Sequence, residues 1–129
     1  ETTVCADKKL IEQVLSNLLS NAVKYAPNGG EIVVISVMKD KDVEVGVQDF
    51  GIGIPEGQKD KIFERYFRAS NRNRSASGIG LGLYITAAII RQHGGQIFVH
   101  SQEGKGSTFF FTLPIGSSDN LSNNLSSKV

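Results

Sequence analysis

The sequence predicts an α+β fold, a two-layer sandwich in which one mainly antiparallel sheet carries about three helices on one face. Three observations predict it. Leu10, Ile11, Val14, Leu15, Leu18, Leu19 and Ala22 recur at three- and four-residue spacing, as on a helix with one buried face. Residues 31–49 and 96–113 each hold two alternating runs joined by a short polar turn, the pattern of a β-hairpin. Helices and strands are thus segregated along the chain, in the order α, hairpin, α, loop, α, hairpin.

Each element has its own signal. Asp7 is an N-cap candidate for the first helix, and Pro27, Asn28 and Gly29 stop it. The first hairpin pairs Glu31–Met38 with Val43–Asp49 across the charged turn Lys39–Asp42. A glycine loop, Gly51–Pro55, leads to a short amphipathic helix from about Gln58 to Phe67. Ala69–Ser77 holds nothing more apolar than alanine and reads as a mobile loop. Gly78–Gly82 opens a third helix, with Leu81, Ile85, Ala88 and Ile89 on one stripe and Gly94 and Gly95 as C-cap candidates after His93. The second hairpin pairs Gln96–Ser101 with Ser107–Leu113.

Size and composition narrow the function classes. The chain has 129 residues, enough for one domain, and 40% hydrophobic residues, enough for a core. Residues 1–115 are read as that domain and 116–129, rich in Ser and Asn, as a disordered polar tail. No apolar run approaches the ~20 residues that cross a bilayer, so no membrane contact is expected. A net charge of +1 is too balanced for a chain whose main partner is nucleic acid. The single cysteine, Cys5, excludes an internal disulfide framework and fits a reducing cytosol.

Three places invite chemistry. Gln13, Asn17, Asn21 and Lys24 fall within about 80° of one another on the first helix, away from its apolar arc. Such a stripe is either a solvated face or a ligand face. Asparagine is a poor mid-helix residue, however, and an amide carbonyl at Asn21 suits a hard cation such as magnesium whose remaining ligands come from phosphates. Val43, Val45 and Val47 set the inward face of a strand, and the next position on that face is Asp49. This acid either caps a turn or meets a donor such as the exocyclic amine of a purine, with Gly51 and Gly53 allowing close approach. Gly78-Ile79-Gly80-Leu81-Gly82 at a helix start suits an anion. Neither glycine cluster is a Walker A motif or a dinucleotide fingerprint.

Taken in order, Asn17-Leu-Leu-Ser-Asn21-Ala-Val-Lys24-Tyr25, Asp49-Phe-Gly51-Ile-Gly53-Ile54-Pro55, Phe63-Glu-Arg-Tyr-Phe-Arg68 and Gly78-Ile-Gly80-Leu81-Gly82-Leu83 resemble the asparagine, first-glycine, phenylalanine and second-glycine boxes of the catalytic, ATP-binding domain of sensor histidine kinases. The end, from His93-Gly94-Gly95 through Gly104-Lys-Gly-Ser107-Thr-Phe109 to Leu113-Pro114, is similar as well. The resemblance covers Cys5–Pro114. It implies a Bergerat-type ATP-binding fold with a mixed, mainly antiparallel sheet, truncated at its N-terminus by one helix and one strand, a loss expected to favour dimerisation. Val4 and Cys5 are candidates for a strand remnant.

The resemblance also implies residue roles. Asn21 would hold the magnesium bridging the ATP phosphates, with Asn17 beside it. Lys24 and Tyr25 would meet phosphate or sugar, and Asp49 the adenine amine. Gly51, Gly53 and Ile54 would line the base. Arg68 would face the γ-phosphate. Gly78, Gly80, Leu81, Gly82 and Leu83 would surround the phosphate chain, Ser107 would complete the pocket, and Asn71–Ser77 would form the lid. Asn17, Asn21, Lys24 and Arg68 would be the catalytic set.

Where related gyrase, mismatch-repair and chaperone ATPases hold a water-activating glutamate, this sequence has Asn17, which accepts no proton. The implied activity is therefore transfer of the γ-phosphate to a histidine on a separate helical hairpin, homodimeric in the full protein, and indirectly to a response regulator. His93 and His100 are poor phosphoacceptors, one at a helix end and the other inside a strand. The implied setting is the cytoplasmic part of a membrane-anchored bacterial sensor. Two alternatives stand beside this reading: a degenerate kinase module that only holds ATP, and a serine kinase of the anti-sigma type.

Overall fold

The computed structural model describes residues 3–26, 29–70 and 80–116. The first helix, α1, runs Lys8–Lys24. Its cap is the one expected: the Asp7 carboxylate accepts the backbone N–H of Lys9 at 3.0 Å and of Leu10 at 3.2 Å. Val14, Leu18 and Ala22 form its buried line. Strands β1 (Val33–Met38) and β2 (Asp42–Asp49) follow. Then come α2 (Gly82–Gln92), β3 (Ile97–Gln102) and β4 (Gly106–Pro114).

The sheet has the order β1-β2-β4-β3, and every pairing among the described strands is antiparallel. The expected mixed sheet is thus corrected for the described residues. Val4 adds an isolated antiparallel bridge to Ile115, so the N-terminal stretch does pair with the chain as a strand would. Both helices pack on one face. Val47, Phe109, Phe111 and Leu113 point from the sheet into the core, where they meet Val14 and Leu18 of α1 and Ile89 and Ile90 of α2.

Two helices are described instead of about three. The stretch expected to be helical from Gln58 to Phe67 is a string of turns, with N–H to C=O bonds from Gln58 to Pro55, Lys61 to Gln58, Glu64 to Lys61 and Phe67 to Glu64. A helix this short does not recover its nucleation cost from its own hydrogen bonds. Tertiary contact sets the shape here: Ile62 is buried, and Phe63 stands edge-on to Phe109 with ring centres 6.3 Å apart. The spacing that resembles a helical stripe suits successive turns equally well.

The third expected helix also differs in its buried face. Thr86, Ala87, Ile89 and Ile90 are the buried residues of α2, whereas Ala88 is exposed. The glycine C-cap forms as expected: Gly94 has φ +78°, its N–H bonds Arg91, and the Gly95 N–H bonds Ile90. Ala69 and Ser70, assigned to a mobile loop, are held in place. Ala69 is buried, and Gln58 clasps Ser70 through its Nε2 donating to Oγ and its Oε1 accepting the backbone N–H, both at 2.9 Å. Residues 71–77 of that loop and the 117–129 part of the polar tail lie outside the described residues.

The helix layer leaves β1 uncovered. Val34 and Met38 share the face of Val47 and Val43 by register, yet are 56% and 65% exposed. Val23 on α1 is exposed as well. Strand β1 is an edge whose six residues, Val33–Met38, carry no charge, a combination that invites strand pairing. This chain is therefore expected to self-associate through β1. Val37→Lys should weaken the association about tenfold in sedimentation by setting two cations across the new pairing. A parent chain sedimenting as a monomer at every concentration would contradict this.

Candidate functional site

The candidate residues gather where the end of β2 meets the end of α1. Period-two alternation carries Asp49 onto the core-facing side of the sheet, and it is 5% exposed. One of its oxygens accepts the Gly51 N–H at 3.0 Å, so the acid does shape the following turn. Gly51 lies against the last turn of α1, where a Cβ would overlap the Tyr25 carbonyl oxygen, and the Ile52 N–H bonds that same oxygen at 3.1 Å. The glycine therefore admits protein backbone, and its absent side chain brings the C-terminal end of α1 against the carboxylate strand.

Gly53 serves the same purpose one step on. It has φ +70°, and any Cβ there would strike the Gln102 backbone. Ile54 is fully buried, and its N–H donates to Ser101 Oγ at 2.9 Å. Ser101 donates to the Gly106 carbonyl at 3.0 Å, so Ser107, 2.7 Å away, donates its hydroxyl to Ser101. Ile54, expected to line the base, and Ser107, expected to complete the pocket, are thereby both tied to Ser101.

On α1, Asn17 and Asn21 are half-buried and Lys24 is exposed, with Tyr25 as the C-cap. Asn17 is not merely solvated: its Nδ2 donates to Thr86 Oγ1 on α2 at 3.1 Å. At the opposite end of the helix pair, the His93 ring joins the two helices. Its Nδ1 donates to the Ile89 carbonyl at 2.7 Å, and its Nε2 accepts the Asp7 backbone N–H at 3.1 Å. Both ring nitrogens are engaged. His100 lies in an aromatic cluster with Phe98 and Phe110, with ring centres 5.2 to 5.6 Å from its own.

The start of α2 is open among the described residues. Among these residues, Leu81 occupies the N-cap position without a side-chain hydrogen bond, and nothing lies within 4 Å of a Cβ placed at Gly82. Gly80, at φ +78°, packs on Tyr66, whose N–H donates to its carbonyl at 2.8 Å. A Cβ at Gly80 would come within 2.7 Å of the Tyr66 backbone. Tyr66 is itself left-handed at φ +67°, and Arg65 stacks 5.4 Å from its ring centre. This contact carries the turns that end at exposed Arg68 to the mouth of α2. Leu83 packs against the core from the first turn.

Residues 6–117 match the family described as histidine kinase-, DNA gyrase B- and HSP90-like ATPases. The chain belongs to this family. It is 47% identical over 114 residues to the adaptive-response sensory kinase SasA of Rippkaea orientalis, covering 88% of this chain and 29% of SasA. Against the sensor histidine kinase WalK of Bacillus subtilis the identity is 44% over 111 residues, covering 84% of this chain and 18% of WalK. The chain thus spans less than a third of these relatives. A mycobacterial sensor histidine kinase, MprB, superposes with a TM-score of 0.79 at 32% identity, over 87% of this chain and 76% of that one. The nucleotide-free catalytic domain of the histidine kinase ThkA gives 0.72 at 38% identity, over 84% and 69%. These relatives are enzymes, and the matched domain is their catalytic ATP-binding part.

Within this histidine kinase ATPase domain the structure brings Tyr25 and Gly51 to Asp49, and Asn17 to Thr86 one turn along from the start of α2. Gly78 and the expected lid at 71–77 lie outside the described residues. Among the described residues, no group of three His, Cys, Asp or Glu side chains is placed to hold a metal ion. No described helix is long and apolar enough to cross a membrane. A hollow of about 260 Å³ opens where the end of β2 meets the β3–β4 turn, lined by Gln48, Asp49, Phe50, His100, Ser101, Gln102, Lys105, Gly106, Ser107 and Thr108, so that Asp49 and Ser107 border it while Asn17 and Asn21 do not. The sequence reading missed Thr86 as a partner of Asn17. Its one signal was a hydroxyl within the apolar run Ile85–Ile90.

Proposed function

We propose that this domain binds Mg·ATP between α1 and the mouth of α2 and supplies the γ-phosphate to a histidine on a separate helical hairpin of a cytoplasmic two-component kinase. The observation that carries the reading is the buried Asp49 carboxylate held beside the end of α1 by Gly51. A buried acid suits an adenine amino group, because the donor offsets its desolvation. The donor set fits the cation too. Asn21 offers one neutral oxygen, which is sufficient for magnesium when phosphates supply others. Bound there, the ion would neutralise charge on the phosphate oxygens.

The chain's own groups then divide the work. Asn21 and Asn17 hold the cation side of the phosphates, and Lys24, Tyr25 and Arg68 approach them from the rim. The uncapped N–H groups at the start of α2 receive phosphate oxygens, a task suited to a helix N-terminus. Little covalent chemistry is required of the protein, since phosphoryl transfer is governed by positioning and charge neutralisation. The attacking imidazole nitrogen comes from the partner hairpin, ADP leaves, and a response regulator takes the phosphoryl group later.

Calorimetry tests this reading. Asp49→Asn should weaken ATP binding about tenfold and narrow the preference for ATP over GTP, because an amide can turn a donor toward a keto oxygen. Unchanged affinity for both nucleotides would remove Asp49 from the base site. The domain alone should also hydrolyse ATP far more slowly than the ~1 to 10 per second of ordinary enzymes, since Asn17 takes up no proton. Turnover in that range, abolished by Asn21→Ala, would reverse the conclusion.

A further inference from the structure

We propose that Thr86 is a positioning residue that fixes which end of the Asn17 amide faces the bound cation. The proposal rests on the functional reading above and adds a residue to it. Thr86 is fully buried within α2, among Ala87, Ile89 and Ile90. A hydroxyl in such a place costs free energy unless it is hydrogen-bonded, and valine would fill the same volume without that cost. Its bond is to Asn17 Nδ2 at 3.1 Å, across the interface between the helices.

A carboxamide presents a donor at one end and an acceptor at the other. With the NH₂ committed to Thr86, Oδ1 projects from the other branch of the planar group. Asn17 then offers an acceptor, the atom type that a cation or its hydration water requires, while one of its two N–H donors is taken up by Thr86 and the nitrogen is turned toward α2. Asn21 follows one helical turn later on the same stripe, so the two carbonyls act toward one ligand. Without the hydroxyl the Asn17 amide loses this restraint and can turn its nitrogen toward the ligand.

The experiment compares Thr86→Val, Thr86→Ser and Asn17→Ala with the parent chain by calorimetry, titrating ATP with magnesium and ATP in chelator. Side-chain amide NMR is recorded on the metal-free proteins. Thr86→Val should lose about three- to tenfold in Mg·ATP affinity and little in metal-free ATP affinity. Thr86→Ser, which keeps the hydroxyl, should restore the parent value. The Asn17 NH₂ resonances should be protected from exchange in the parent and the Ser variant, and unprotected in the Val variant. Equal losses with and without magnesium in Thr86→Val would mean that Thr86 only supports packing, and would overturn the proposal. So would an unchanged Mg·ATP affinity in Thr86→Val alongside a clear loss in Asn17→Ala. No loss in Asn17→Ala would instead overturn the underlying reading of Asn17 as a site residue, and the proposal with it.

Discussion

Gly51→Ala is expected to destabilise the domain by about 3 kcal/mol or more, lowering the melting temperature by roughly 10 °C or more. The added methyl would overlap the Tyr25 carbonyl oxygen and come within 3.0 Å of Ala26 Cα, all of it backbone with no flexible side chain to yield. Relief requires separating the end of α1 from the loop after β2, which breaks the Ile52 to Tyr25 hydrogen bond. Gly57→Ala is the control. Gly57 has φ +88° but open space around it, so that substitution should cost only about 1 kcal/mol of left-handed strain. Thermal melts of both variants check the pair, and equal shifts would show that conformational strain, not close approach, explains Gly51.

The second large effect is on the ligand. Asn21→Ala is expected to lower Mg·ATP affinity by roughly ten- to a hundredfold, the scale of losing one polar contact to a charged group. Stability should hold or rise slightly, because the side chain is half-buried in the last turns of α1 and alanine is the better helix former. Calorimetry with and without magnesium, beside a thermal melt, separates these outcomes. An affinity loss accompanied by an equal loss of folded protein would remove Asn21 from the metal role.

These expectations were open to sequence reading to different degrees. Helix α1, its Asp7 cap and the two hairpins were legible because each rests on a local period or a local hydrogen bond. The inward position of Asp49 was legible for the same reason, as the fourth member of an alternating strand face. The turns at 58–67 were not, because Ile62 and Phe63 bury equally well from a helix or from successive turns. Gly51 and Gly53 were recognised as places without room for a side chain. What fills that room, the Tyr25 carbonyl and the Gln102 backbone, comes from remote parts of the chain that no local pattern names. Thr86 was hidden by its neighbours: a single hydroxyl in an apolar helix announces no partner until α1 lies beside it.

The imidazole that joins Asp7 to Ile89 makes a pivot of one end of the helix pair. Helices α1 and α2 run antiparallel from it, with the Asn17–Thr86 bond as the second fastening further along. From Asp7 to Asn21 the lever is about 21 Å at 1.5 Å per residue. A swing of about 5° at the pivot would carry Asn21 nearly 2 Å, more than a productive phosphate geometry tolerates. For the proposed nucleotide site, the placement of Asn21 is therefore set in part at the far end, by a side chain more than three helical turns away.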